Sequence, residues 1–190
     1  MTVSFIRFSA RDICFIGIFT ALICVLAPLG FPMPYGVPFT LQTFMAPLAG
    51  VALGRKNGAL AVLLYVLLGS LGLPVFAGYA GGIGVTLGPT GGFLLSFPLV
   101  AFTAGIPVSS RMKKRRKFFA ARLGFWLLTG MVINYLCGTL WFAFVTHSGL
   151  QAAFAACVLP FIPTAILKTT LAAVLGQKIK SVIAACAINA

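Results

Sequence analysis

Apolar segments fill most of the chain, and the breaks between them are short runs of proline, glycine or cations. Read by length and punctuation, they predict six membrane-crossing helices at about 10–29, 40–54, 58–73, 90–108, 122–146 and 160–179. The second and third fall short of the roughly 20 residues a bilayer core asks for. They must be tilted, extended into their flanks, or shielded by neighbours. The first segment opens like a signal peptide, with Arg7 and Arg11 before an apolar run. That run closes on Pro28-Leu-Gly-Phe-Pro32 rather than a small-residue cleavage site, so a retained helix is expected. A proline-rich connection, Phe31 to Pro38, and a glycine-rich stretch, Gly72 to Gly92, are the conspicuous links. The expected fold class is an all-α integral membrane protein, one polytopic domain over residues 1–190.

The charges test this count. Arg7 and Arg11 precede the first helix, and Arg55 and Lys56 follow the second. The 111–122 cluster follows the fourth, and Lys178 and Lys180 close the sixth. The links after helices one, three and five hold no lysine or arginine. Every cation but one therefore falls on one side, which the positive-inside rule makes cytoplasmic together with both termini. Five or seven spans would break the alternation.

Composition narrows the function. The chain is 61% hydrophobic and 8% charged, against about a quarter charged in soluble domains, so most of its surface is built for lipid. The net charge of +13 sits in clusters between apolar runs, without the aromatic and polar company that reads bases. A basic rim on an anionic leaflet accounts for it, and no nucleic-acid partner is expected. Cys14, Cys24, Cys137, Cys157 and Cys186 are scattered and form no C-x-x-C pair, and His147 has no companion, so no metal is expected. The phosphate-cradling G-x-x-x-x-G-K-[ST] is absent. Asp12 is the single acid, which leaves no carboxylate pair, no Ser/His/Asp set and no expectation of an enzyme.

The cation that breaks the pattern is Lys168, about two helical turns inside the sixth span. Either its head snorkels to an interface or it marks a functional site. With Asp12 at the other face, a buried ammonium here must find carbonyls, lose its proton or await an anion. A small carboxylate arriving from outside would meet that need. The outer links supply shape. Thr40 and Gln42 offer hydrogen-bonding groups beside Pro38. The stretch Gly72 to Gly84, with Phe76, Gly78 and Tyr79, either brings backbone close to a ligand or simply permits tight packing.

These same segments resemble the BioY family, the biotin-specific substrate-capture (S) components of energy-coupling factor (ECF) transporters. The similarity lies in Val37-Pro-Phe-Thr-Leu-Gln-Thr43, Gly72-Leu-Pro-Val-Phe-Ala-Gly78, Gly88-Pro-Thr-Gly-Gly-Phe93, Tyr135-Leu-Cys-Gly-Thr-Leu-Trp141 and Pro160-Phe-Ile-Pro163, and covers roughly residues 10 to 180. It implies a six-helix protein of the bacterial cytoplasmic membrane that binds biotin between outer loops and outer helix ends. It implies no cofactor. A transmembrane coupling subunit and two cytosolic ATPases are the implied partners. Lys168 carries over as a ligand contact, with Thr40, Gln42, Phe76, Gly78, Tyr79, Thr90, Asn134 and Tyr135 as further candidates. Gly17 and Ala21, at small-xxx-small spacing, either dock the coupling subunit or serve ordinary helix packing. The family pattern has an aspartate three residues before the lysine, where this chain has Ala165; Asn134 or Gln42 is then the candidate partner for the ligand's polar ring. Two alternatives stand: an S component for another small anionic vitamin, and a membrane interaction protein whose 111–117 loop recruits a partner.

Overall fold

A computed structural model describes residues 9–31, 37–106 and 116–188. Helices form at all six predicted segments: α1 (Ala10–Leu26), α2 (Gln42–Leu53), α3 (Arg55–Ser70), α5 (Gly91–Ala104), α6 (Arg116–Thr146) and α8 (Ile162–Ile188). Among the described residues two further α-helices lie outside those segments: the single turn α4 (Ile83–Thr86) within the glycine-rich stretch, and α7 (Leu150–Cys157) before α8. Two short strands, β1 (Gly30–Phe31) and β2 (Phe39–Thr40), pair antiparallel and close the proline-rich link as a hairpin. Among the described residues the fold is all-α apart from this clasp. Arg7 and residues 111–115 of the basic cluster lie outside the described residues.

The boundaries shift in an instructive way. Helix α6 begins at Arg116, ahead of the predicted 122, because the cations of the cluster continue the helix once it has left the apolar layer. Helix α8 likewise runs on through Lys178 and Lys180 to Ile188. The apolar stretches Phe118–Thr146 and Leu150–Ala185 are long enough to cross a membrane, and only 22% of the most apolar window in each is buried. A core helix of a soluble protein would be mostly covered; these two are largely uncovered.

The short helices have the opposite surroundings. Nine of the twelve residues of α2 are buried, and α1, α3, α5 and α8 all pack on it. Of the options left open by its length, shielding by neighbours applies: a helix wrapped in protein need not match the bilayer's thickness. Small side chains permit that wrapping. A Cβ at Gly50 would run into the backbone carbonyl of Ala101, so α2 and α5 touch main chain to main chain. The turn into α3 is a single residue, Gly54, whose φ of 85° suits glycine. Around this hub sit Ile23, Met45, Val62, Tyr65 and Phe76, all nearly inaccessible. Outward, Val25, Leu167 and Phe144 are 68%, 70% and 77% exposed, an apolar surface tolerable only in hydrocarbon.

The single acid is structural. Asp12 accepts the Ser9 backbone N–H (3.0 Å) at the start of α1 and the Asn57 side-chain amide (2.8 Å) from α3. It caps one helix and ties it to the next.

Candidate ligand-binding site

A cavity of about 350 Å³ opens at the end of the bundle away from Arg55, Lys56, Lys178 and Lys180. The start of α2, the start of α5, the later part of α6 and the start of α8 line it, closed over by the Val37–Thr40 segment, α4 and α7. Its size falls within the usual range of small-molecule clefts, roughly 300–1,000 Å³, and its walls are mostly apolar with a few polar groups.

Lys168 lies in the wall. Its Nζ donates to the Thr40 carbonyl (2.6 Å) and the Thr43 hydroxyl (3.2 Å), and stands 3.5 Å from the centre of the Phe39 ring. The β1–β2 clasp holds Phe39 and Thr40 in place for this contact, pairing them with Phe31 and Gly30. A carbonyl, a hydroxyl and an aromatic face solvate an ammonium without neutralising it. The only acid in the sequence is committed to Ser9 and Asn57 at the other end. Ala165, where the family pattern has its aspartate, also lines the cavity. An acid there would have stood in the site.

The other polar candidates sit on fixed supports. The Thr40 hydroxyl donates to Gln42 Oε1 (3.0 Å), and Gln42 Nε2 donates to the Tyr65 hydroxyl (2.5 Å), so both ends of the Gln42 amide are engaged. Asn134 Nδ2 donates to the Phe93 carbonyl (3.2 Å) and to Ser96 Oγ (2.7 Å). That commits its nitrogen and leaves the amide oxygen as the acceptor it can offer a ligand. Thr90, Tyr135 and Phe76 complete the predicted residues that line the cavity.

Gly78 and Tyr79 do not line it. Gly78 has φ 68° and its N–H donates to the Pro28 carbonyl (3.0 Å), pinning the loop to the end of α1. Tyr79 points outward, 65% exposed. Their loop acts from behind, by presenting Phe76 and Ala77 to the cavity. Gly17 and Ala21 share the exposed face of α1 and do not line the cavity.

Several lining residues escaped the sequence reading: Thr43, Phe93, Phe97, Cys157, Phe161 and Thr164. Part of the signal was available. Phe161, Thr164, Ala165 and Lys168 follow the 3–4 spacing of one helix face, so the face bearing Lys168 could have been read whole. Cys157 depends on α7, whose packing no local pattern announces.

Two of the motif runs turn out to be halves of one contact. Trp141 Nε1 on α6 donates to the Gly88 carbonyl (2.9 Å), and a Cβ at Gly91 would meet the Thr86 carbonyl and, at 3.0 Å, the indole nitrogen. A Cβ at Gly92 would meet the Trp141 side chain. Gly88-Pro-Thr-Gly-Gly-Phe93 is thus held against Tyr135–Trp141, which sets Thr90 and Phe93 at the cavity wall.

Comparison with known proteins gives consistent matches. The sequence profile of the BioY family matches residues 1–185. A probable biotin transporter BioY of Pyrococcus horikoshii is 40% identical over 171 residues, covering 90% of this chain and 97% of that protein. The biotin transporter BioY of Thermotoga maritima is 39% identical over 174 residues, covering 90% and 96%. Among solved structures, the S-component for biotin from an ECF-type ABC transporter superposes with a TM-score of 0.77 at 27% identity, covering 92% of this chain and 95% of that one.

Proposed function

The chain belongs to the BioY family, and from that membership we propose that it captures biotin at the outer face of the cytoplasmic membrane for an ECF-type importer. It is a membrane protein whose work is binding and movement, without covalent chemistry. The observation that carries the reading is Lys168: an ammonium in the wall of a ligand-sized, largely apolar cavity, with neutral partners and no resident acid. Biotin's carboxylate supplies the missing charge, and its ring system suits aromatic walls such as Phe93, Phe97 and Phe161. Asn134, with its amide oxygen uncommitted, is the group for the ring's N–H donors.

In this reading the six main helices all span the membrane, with the short α2 and α5 shielded inside the bundle, and both termini are cytoplasmic. The alternation of basic links supports that orientation. A transmembrane coupling subunit and two cytosolic ATPases supply the energy. Gly17 and Ala21 are the docking positions on α1: both are exposed, and a Cβ at Gly17 would meet nothing within 4 Å.

One observation favours a second reading. Ala165 removes an acid from the cavity itself, so the preferred ligand could be another small anionic vitamin. Equilibrium binding of labelled biotin to the purified, folded chain, with unlabelled vitamins as competitors, separates the two. Tight binding displaced by biotin alone supports the first reading. Displacement by another vitamin at lower concentration than biotin supports the second. Absence of any biotin binding sinks the first.

A further inference from the structure

Helices α5 and α6 meet with glycines at the contact. A Cβ at Gly92 would run into the Cys137 carbonyl and the Trp141 side chain, one at Gly138 into the Phe93 ring, and one at Gly130 would press on the backbone of Val100. Steps of four along α5 (92, 96, 100) therefore face steps of four along α6 in the opposite sense (138, 134, 130). Ser96 and Asn134 stand opposite each other at the middle of this crossing. Both are buried, and of the two only Asn134 lines the ligand cavity.

With Phe93 they form a closed triangle. The Ser96 hydroxyl donates to the Phe93 carbonyl (3.0 Å), and Asn134 Nδ2 donates to that same carbonyl (3.2 Å) and to Ser96 Oγ (2.7 Å). A carbonyl only accepts, so Phe93 fixes which end of the amide faces it. The Ser96 hydrogen is directed at Phe93, which leaves its oxygen to accept from Asn134. Turning the amide over would break both bonds and set Oδ1 against the Phe93 carbonyl. The close approach at Gly92, Gly130 and Gly138 leaves α6 little room to shift, and bulk water does not enter a bilayer to replace a lost acceptor.

We propose that Ser96 is a positioning residue for ligand discrimination. With Phe93 it holds the Asn134 amide so that the cavity is offered an acceptor, and the site selects a ring that carries N–H donors. The proposal rests on the reading of Asn134 as the group that meets the ring of biotin. A Ser–Asn pair that served only to join two helices would stabilise the bundle and leave the choice between ligands untouched.

The test compares biotin with an isostere in which both ring N–H groups are replaced by oxygen, each titrated by equilibrium binding against the purified full-length chain. The wild type should prefer biotin by about 30-fold, because the isostere sets an acceptor against a buried acceptor. Ser96→Ala should lower that preference about fivefold, the equivalent of one neutral hydrogen bond. Ser96→Cys, close in size with a weaker acceptor, should lower it less. Asn134→Leu should bring the two ligands near parity, and adding Ser96→Ala to it should change the ratio no further. A wild type that binds both ligands alike would remove the reading of Asn134 and the proposal with it. Discrimination by the wild type that Ser96→Ala and Ser96→Cys both leave intact would overturn the proposal alone. So would a Ser96→Ala effect that persists in full on top of Asn134→Leu.

Discussion

Replacing Lys168 by methionine keeps most of the unbranched side chain and removes its charge, and the structure gives the size of the expected loss. Two of the three ammonium hydrogens are taken by the Thr40 carbonyl and the Thr43 hydroxyl, so one remains for a carboxylate oxygen. Unit charges about 4 Å apart attract by about 4 kcal/mol at an effective dielectric of about 20. Truncating one member of a partly buried, hydrogen-bonded pair at a binding site costs about 2–5 kcal/mol. For a half-buried lysine with one free donor, about 3 kcal/mol is the expectation, or about 150-fold in Kd. Methionine alone would also disturb packing beside Phe39, so the ligand must be varied as well. Biotin and its neutral amide, each titrated against wild type and Lys168→Met by equilibrium binding, close a cycle that isolates the charge pair. The wild type should prefer the acid by about 150-fold and the variant should bind both alike. A variant that kept the wild-type preference for the acid would refute the assignment of Lys168 as the anion's anchor.

Other expectations follow from single contacts. Ala165→Asp gives Lys168 a resident counter-ion one turn away, and should cut the preference for acid over amide in the same titrations. Trp141→Phe loses the bond to the Gly88 carbonyl and should cost about 1 kcal/mol in thermal unfolding, with weaker ligand binding because Gly88 and Thr90 are both in the cavity wall. Gly91→Ala drives a methyl into the Thr86 carbonyl and should cost about 1–3 kcal/mol; unaltered stability would mean that the α5–α6 contact is looser than described. Asp12→Ala uncaps α1 and frees Asn57, so the melting temperature should drop by the equivalent of about 1–2 kcal/mol while Kd stays put. In a cysteine-free background, cysteine at residue 147 should react with an impermeant thiol reagent added outside cells, and cysteine at residue 180 should not.

What the sequence made legible was whatever a long apolar run or an isolated charge can encode. The six main helices appear where hydropathy placed them, and Lys168 stood out because a cation inside a span is expensive. Thr40, Gln42, Phe76, Thr90, Asn134 and Tyr135 all line the cavity, most of them on motif runs. Less legible was everything set by packing between distant segments. Gly78 and Tyr79 belong to a motif, yet one fastens a loop to α1 and the other points outward; a motif marks what is constrained, without saying whether ligand or fold constrains it. Helix α7 is eight residues long and too short to declare itself by periodicity. The length of α2 left three options open, and the choice among them required seeing four neighbours around it.

The isolation of Lys168 also has an electrical side. It is the one cation set apart from the basic ends, and its hydrogen-bond partners are neutral. Carrying a bare monovalent anion inward against an inside-negative potential of 100 mV would take about 2.3 kcal/mol. Were biotin's carboxylate seated on Lys168, as proposed, the cargo and its anchor would sum to zero, and that work would largely disappear from the loaded step. The empty protein keeps the uncancelled positive charge, so the voltage acts on it instead, favouring the arrangement in which Lys168 lies nearer the cytoplasm and opposing its return. A membrane potential would therefore leave capture nearly untouched and bear on the resetting of the emptied site.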